Sequence, residues 1–270
     1  MAEQRTDHKH FAVLKKARRV WAIGSIHGEA ERLQGLHRRI EDALEPGDRV
    51  VYCGNLIGRG PDAGGVLDEL LRFRRLFLAR SESFACDMAY LRGGQEEMWQ
   101  KLLQLQFASD PRGVLEWMLE QGLDASIAAY GETPEGARRA AGAGTMQLTR
   151  WTGALRKAMQ DRPGHYQIIS GLRRAAFTQE RTLLFVNAGL DPTRPLDSQK
   201  DSFWWSSGAF SRMEEPYEGF KRVIRGYAPR HPGLVETAHT LTLDADAGRG
   251  GPVLAALILP EGEVVETLEA

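Results

Sequence analysis

Three times in its first 107 residues the chain repeats one rhythm: a short apolar run ending in Gly, a loop, then an amphipathic stretch. The runs are RRVWAIG ending at Gly24, RVVYCG ending at Gly54 and MAYLRG ending at Gly93. The stretches are EAERLQGLHRRIEDAL at 29–44, VLDELLRFRRLF at 66–77 and EEMWQKLLQLQF at 96–107. Leu33, Leu36, Ile40 and Leu44 recur at helical spacing, as do Leu67, Leu70, Leu71 and Phe73 in the second stretch. Strands alternating with helices demand a largely parallel sheet covered by those helices. Ligands in such sheets bind beyond the carboxyl ends of the strands. The three Gly-bounded loops are therefore expected to meet at one crevice.

The rest of the chain divides by pattern. Residues from about 110 to 165 read as helical throughout, in VLEWMLEQ, DASIAAYG and TMQLTRWTGALRKAMQ, and form a helical cap insertion. Trp117 and Trp151 in this insertion are read as packing anchors. After Gly171 six candidate strands follow: RRAAFTQE, TLLFVNAG, KRVIRGY, TLTLDAD, PVLAALIL and EVVETLE. Short turns separate most of them, so this half is expected to be largely antiparallel. The fold class is α/β, with two mixed β-sheets packed face to face and flanked by helices. Residues 19–270 are read as a single domain. Residues 1–18 are polar and basic and are read as a loose arm or poorly ordered helix. Asp7, His8 and His10 there are a weaker candidate for adventitious metal binding than for a solvated tail.

Composition removes some functions. Charged residues make up 26% of 270, with a formal net charge of -1. That balance gives no global attraction to nucleic acid or to an anionic membrane surface. Only Cys53 and Cys86 carry thiols, too few for a disulfide scaffold, and Cys53 reads as a small core residue. No signal-peptide pattern opens the chain, and the longest apolar run, VLAALIL at 253–259, is too short to span a bilayer. The expected location is the cytoplasm.

The loops carry the chemical information. They read GSIHG at 24–28, GNLIGRG at 54–60, RGGQE at 92–96, FVNAG at 185–189 and RGYAP at 225–229. In order and spacing they resemble the calcineurin-like metallophosphoesterases, especially the bacterial phosphoprotein phosphatase and diadenosine-tetraphosphatase group. That family shows GDxHG, GDxxDRG, GNHE, a VHAG-type motif and GHT. The resemblance runs from about residue 18 to the end and includes the segment ending WMLEQGLDASIAAYG, GLDP at 189–192 and LDADAGRGGPVLAALIL. It implies a four-layer αββα sandwich. It also implies two divalent metals, such as Mn, Fe, Zn or Mg, a bridging hydroxide that attacks phosphorus, a His–Asp pair and phosphate-holding Arg residues.

Carried over position by position, most of the reactive set is replaced. The acidic ligand of the first motif falls at Ser25, and its His is kept as His27. The bridging carboxylate falls at Asn55 and the orienting Asp at Gly58, while the phosphate-binding Arg is kept as Arg59. The amide ligand falls at Gly94, the catalytic His at Gln95, and the last two His ligands at Asn187 and Tyr227. Asn and Ser bring no charge to hold two dications together, and Gln cannot act as a general acid at neutral pH. The glycines at 24, 28, 54, 60, 93, 189 and 226 are kept, so the loop geometry is expected to survive.

The sequence thus reads as a pseudophosphatase with no cofactor, no metal ligands and no catalytic residues expected. Its candidate phosphate-binding residues are His27, Arg59, Arg92 and Arg225, which would leave the cleft positive. The alternative is an active hydrolase of the serine/threonine-phosphatase or nucleotide-phosphoesterase kind, with an altered metal site using His27, Asn55 and Asp62 or Glu96. Asp191 and Asp244 read as turn or strand-end residues. Expected partners are a phosphate-containing ligand or a protein, not nucleic acid or membrane. Trp204 and Trp205 in SFWWSSGAF are either core or an interface anchor, and homo-oligomerisation stays open.

Overall fold

The structure, a computed structural model, describes residues 10–205 and 208–270. The repeated rhythm folds as its pattern requires. Strands β2 (Arg19–Ile23), β3 (Asp48–Tyr52) and β4 (Met88–Tyr90) pair in parallel. Helices α1 (Ala30–Ala43), α2 (Ala63–Leu78) and α3 (Gly94–Leu102) follow them. This sheet is completed by β10 (Leu254–Ile258), antiparallel to β2, and β11 (Val264–Glu269), in the order β11-β10-β2-β3-β4. The second sheet has the order β1-β5-β6-β7-β9-β8. Its strands are β1 (Phe11–Leu14), β5 (Ala175–Thr178), β6 (Leu183–Val186), β7 (Arg222–Arg225), β8 (Gly233–Glu236) and β9 (Thr240–Asp244).

Strand alternation builds the layers. Val20, Ala22, Val51 and Cys53 of the first sheet meet Ala176, Phe185, Ile224, Leu241 and Leu243 of the second in one apolar core between the sheets. The other face of the first sheet presents Trp21, Ile23, Val50 and Tyr52 to the helices. The other face of the second sheet presents Leu184, Val186 and Val223 to Leu196, Phe203 and Phe210, which lie on short 3₁₀ turns.

The insertion supplies α4 (Pro111–Glu120), α5 (Asp124–Ala128), α6 (Pro134–Gly142), α7 (Thr145–Asp161) and α8 (His165–Ser170). Asp110 and Thr133 cap α4 and α6 through the amides of Gly113 and Gly136, and Pro111 and Pro134 fill first-turn positions that need no donor. Leu115, Met118, Leu148 and Leu155 of these helices join the core on the helical side of the first sheet.

Three sequence expectations change. Phe11–Leu14 is not a loose arm; it pairs in parallel with β5, because the apolar FAVL buries Phe11 and Leu14. Asp7 and His8 lie outside the described residues. The second half keeps the expected antiparallel pairs β5–β6, β8–β9 and β10–β11, but β6–β7 and β7–β9 are parallel, made possible by the long connections 187–221 and 226–239. The edge strand β8 was not foreseen, since Leu234, Val235 and Glu236 stay exposed and show no buried face. Among the described residues no helix is long and apolar enough to cross a membrane.

Candidate functional site

The loops beyond β2, β3, β6 and β7 are tied by backbone bonds at one end of the sheets. Ser25 donates its amide to the Gly226 carbonyl at 2.9 Å, and Ile26 and His27 both donate to the Asn55 carbonyl. Gly226 and Tyr227 donate to the Asn187 carbonyl. His27, Asn55 and Arg59 all have left-handed backbones, with φ of 49°, 53° and 56°. Such residues are uncommon outside Gly and cluster at sites the surrounding structure over-determines.

Glu96, fully buried, is the clamp of this loop set. Its Oε1 accepts from the amides of Leu56 (2.7 Å) and Ile57 (3.1 Å). Its Oε2 accepts from Asn55 (3.0 Å) and Gly93 (2.7 Å). Burial pushes its pKa up and these four donors pull it back. Four N–H groups leave no acceptor for a carboxyl proton, so the ionised form fits.

A cleft of about 270 Å³ opens above these loops, lined among others by His27, Asn55, Arg59, Gly94, Gln95 and Tyr227. His27 is buried, and among the described residues neither ring nitrogen makes a well-formed hydrogen bond, the Ile57 backbone giving only a minor polar contact. Burial, then the nearby Arg59, His231 and Arg249, hold its pKa well below the usual histidine range. The imidazole is therefore neutral at pH 7, and the cleft's charge comes from Arg59. The Arg59 side chain is only 8% exposed, and among the described residues its Nε and Nη1 have no hydrogen-bond partner. Asp246 lies 3.9 Å from Nη1, and the Tyr227 ring sits 5.7 Å from the guanidinium carbon.

The other motif residues are spent on the loops. Asn55 accepts from the Gln95 amide at 3.1 Å and donates to Ser25 Oγ at 3.3 Å; Ser25 donates to the Gly226 carbonyl. Asn187 donates to the Cys53 carbonyl at 2.7 Å, and Gln95 to the Gln121 carbonyl at 2.8 Å. Two losses are filled by neighbours. A Cβ at Gly58 would stand 2.1 Å from Gln95 Oε1, and one at Gly94 would stand 3.0 Å from the Trp205 ring.

Two candidate phosphate binders do not line the cleft. Arg92 pairs with Glu97 at 3.1 Å and lies over the Trp204 ring. Arg225 sits on the far face of β7, because alternation sends Ile224 into the inter-sheet core. Asp62 caps α2 through the Gly65 amide, Asp191 closes a turn on Thr193, and Asp244 accepts from Ala228 and contacts His231. Trp117 is not a buried anchor: it is 44% exposed, lines the cleft and meets Trp205 edge-on at 6.0 Å. Trp151 is buried, as is Trp204, whereas Trp205 is 42% exposed. Sequence reading missed Gln121 and the cleft role of Trp117, since nothing local shows which face of α4 turns to the strand ends.

No family model matches the chain, and no curated protein matches it by sequence. Solved structures do match. One, described as a candidate diadenosine tetraphosphatase, is 19% identical over 97% of this chain and 98% of its own, with a TM-score of 0.56. A protein serine/threonine phosphatase from Saccharomyces cerevisiae is 14% identical over 96% and 84%, with a TM-score of 0.53. A cold-active protein tyrosine phosphatase is 13% identical over 99% and 84%, with a TM-score of 0.51. The chain has the calcineurin-like metallophosphoesterase fold.

That finding corrects the expectation of no cofactor: the solved structures that share this fold are described as phosphatases, and divalent metal is the cofactor that the metallophosphoesterase fold implies. The residues at the motif positions do not fit a pair of such ions. One imidazole faces the cleft beside a guanidinium; among the described residues the unpartnered buried oxygens of these loops are the neutral amides of Gln95 and Asn187 and a single carboxylate oxygen, Asp246 Oδ1, which faces Arg59. Among the described residues no group of three or more His, Cys, Asp or Glu is placed to hold a metal. Neutral oxygens do little to offset the repulsion between two close dications.

Proposed function

We propose that the chain is a pseudophosphatase: a phosphoesterase fold that keeps a phosphate grip, lacks a two-metal centre and binds a phosphate-bearing ligand in the cleft. The observation that carries this reading is Arg59. Among the described residues its buried Nε and Nη1 make no hydrogen bond at the wall of the cleft, and its one ion-pair partner, Asp246, stands 3.9 Å off, too far to satisfy them. A buried donor left unmade is costly, and a phosphate oxygen is the acceptor that a guanidinium fork suits best. His27, neutral and without a well-formed hydrogen bond among the described residues, adds a single N–H to the same anion. Nothing at the position of Gln95 can deliver or take a proton at pH 7. The alternative hydrolase needs an acid beside His27 and Asn55, yet Glu96 is engaged by four amides and Asp62 by a helix cap.

Calorimetric titration with inorganic phosphate tests the grip, with and without added manganese. Saturable binding to the intact chain is expected, weakened at least tenfold by Arg59→Met. Hydrolysis of p-nitrophenyl phosphate with manganese is expected at background. Turnover that requires His27, or phosphate binding whose affinity and stoichiometry are both unchanged when Arg59→Met is placed in an Arg225→Met background, would end this reading.

A further inference from the structure

Arg225 marks a second site, away from the cleft. Backbone pairing puts Arg225 opposite Thr242, and Thr242 opposite Val235, in one row across β7, β9 and β8. Paired residues share a face, and this row points away from the core between the sheets. A central-strand position there would ordinarily bury an apolar side chain. Instead it holds a guanidinium, 5% exposed. Among the described residues, three of the five N–H groups that a guanidinium offers are used, each on a neutral oxygen. Nε donates to Thr242 Oγ1 at 3.0 Å, Nη2 to Ser211 Oγ at 3.1 Å and Nη1 to the Ala188 carbonyl at 3.4 Å. The Phe210 ring lies 4.2 Å from the guanidinium carbon and covers one side. The carboxylate of Asp244 is occupied by the Ala228 amide and His231. Burial pushes the Arg225 pKa down to about 10, which still leaves it charged at pH 7.

This buried cation lines a cavity of about 540 Å³. Arg212 and Arg230 stand at the same cavity, and among the described residues no acidic side chain lines it. Phe210, Pro232 and Val235 supply apolar surface, and Val235 is 40% exposed. A pocket with a desolvated guanidinium at its wall, further cations and apolar sides matches one kind of molecule. Pro229 lines both this cavity and the cleft, so the Tyr227–Pro229 segment forms the wall between them.

We propose that this cavity binds a small organic anion, with its carboxylate or phosphate group on Arg225 and its apolar body against Phe210 and Val235. The site does not depend on the reading of the cleft. The test is calorimetric titration of the full chain with hexanoate and, separately in Arg59→Met, with inorganic phosphate. Saturable binding of one or both probes is expected, and which one binds identifies the head group. Arg225→Met and Val235→Glu should each weaken that binding at least tenfold, whereas Arg59→Met should leave hexanoate binding unchanged. Val235→Glu decides alone if Arg225→Met does not fold, because it adds a carboxylate at an exposed edge-strand position. The proposal fails if neither probe binds saturably, if binding survives Val235→Glu, or if Arg59→Met abolishes hexanoate binding.

Discussion

Glu96→Gln is the change that most directly tests how the loops are held. The wild-type carboxylate accepts four buried amides, two on each oxygen. The glutamine amide keeps one carbonyl oxygen and places an NH2 where the other stood. Whichever way the side chain turns, two backbone N–H groups then face a donor. Each buried donor left unmade costs about 1–3 kcal/mol, so the loss should be about 2–6 kcal/mol. That is a large share of the about 5–15 kcal/mol that holds an ordinary domain together. Guanidinium unfolding at pH 7 reads it, with Glu135→Gln as the control. The Glu135 side chain is 66% exposed and should shift stability by no more than about 0.5 kcal/mol. Asn55 stands next to the clamp and Arg59 on the loop it secures, so phosphate affinity should fall with stability. A loss below about 1 kcal/mol would show that the four contacts do not carry the loops.

Gly58→Asp alone should cost about 2–4 kcal/mol, because the new Cβ meets Gln95 at a backbone φ of 86°. Gln95→Ala in the same chain should return part of that loss in urea unfolding; equal losses in single and double variants would refute the steric account. His27 should make the fold acid-sensitive. Its folded-state pKa lies well below the unfolded value of about 6.5, so the unfolded chain takes the proton first, and stability falls as pH drops below about 6.5. Melting temperature followed from pH 7 to pH 5 should fall less steeply in His27→Gln, and an unchanged slope would assign the effect to another group.

Local periodicity was enough to find β2, β3, β4 and the helices after them, because each buries one face through near neighbours. The kept glycines likewise located the loop set, since left-handed turns such as Gly54 (φ 83°) restrict the residue type. What could not be read were facts about partners. PVLAALIL looked like one more strand of the second half, but its pairing with β2 is set by tertiary contact. Arg225 opens the RGYAP loop, a position that predicts a place at the cleft; strand alternation turns it to the other face. Trp117 had the look of an anchor, and only the placement of α4 over the strand ends exposes it. The deficit of carboxylates was visible in the letters. That Gln95 and Trp205 had moved into the vacated space was not, because filling requires three-dimensional neighbours.

The pairing of β10 with β2 joins Leu257 to Trp21, over two hundred positions apart along the chain. Until that late segment docks, β2 has one side unzipped, with its amides and carbonyls bare and Trp21 beside them. A polypeptide emerging residue by residue must carry this sticky flank through most of its synthesis. Closing so long a loop also makes assembly slow. Production of this protein should therefore be limited by clumping of half-made chains, more than by the endurance of the finished one.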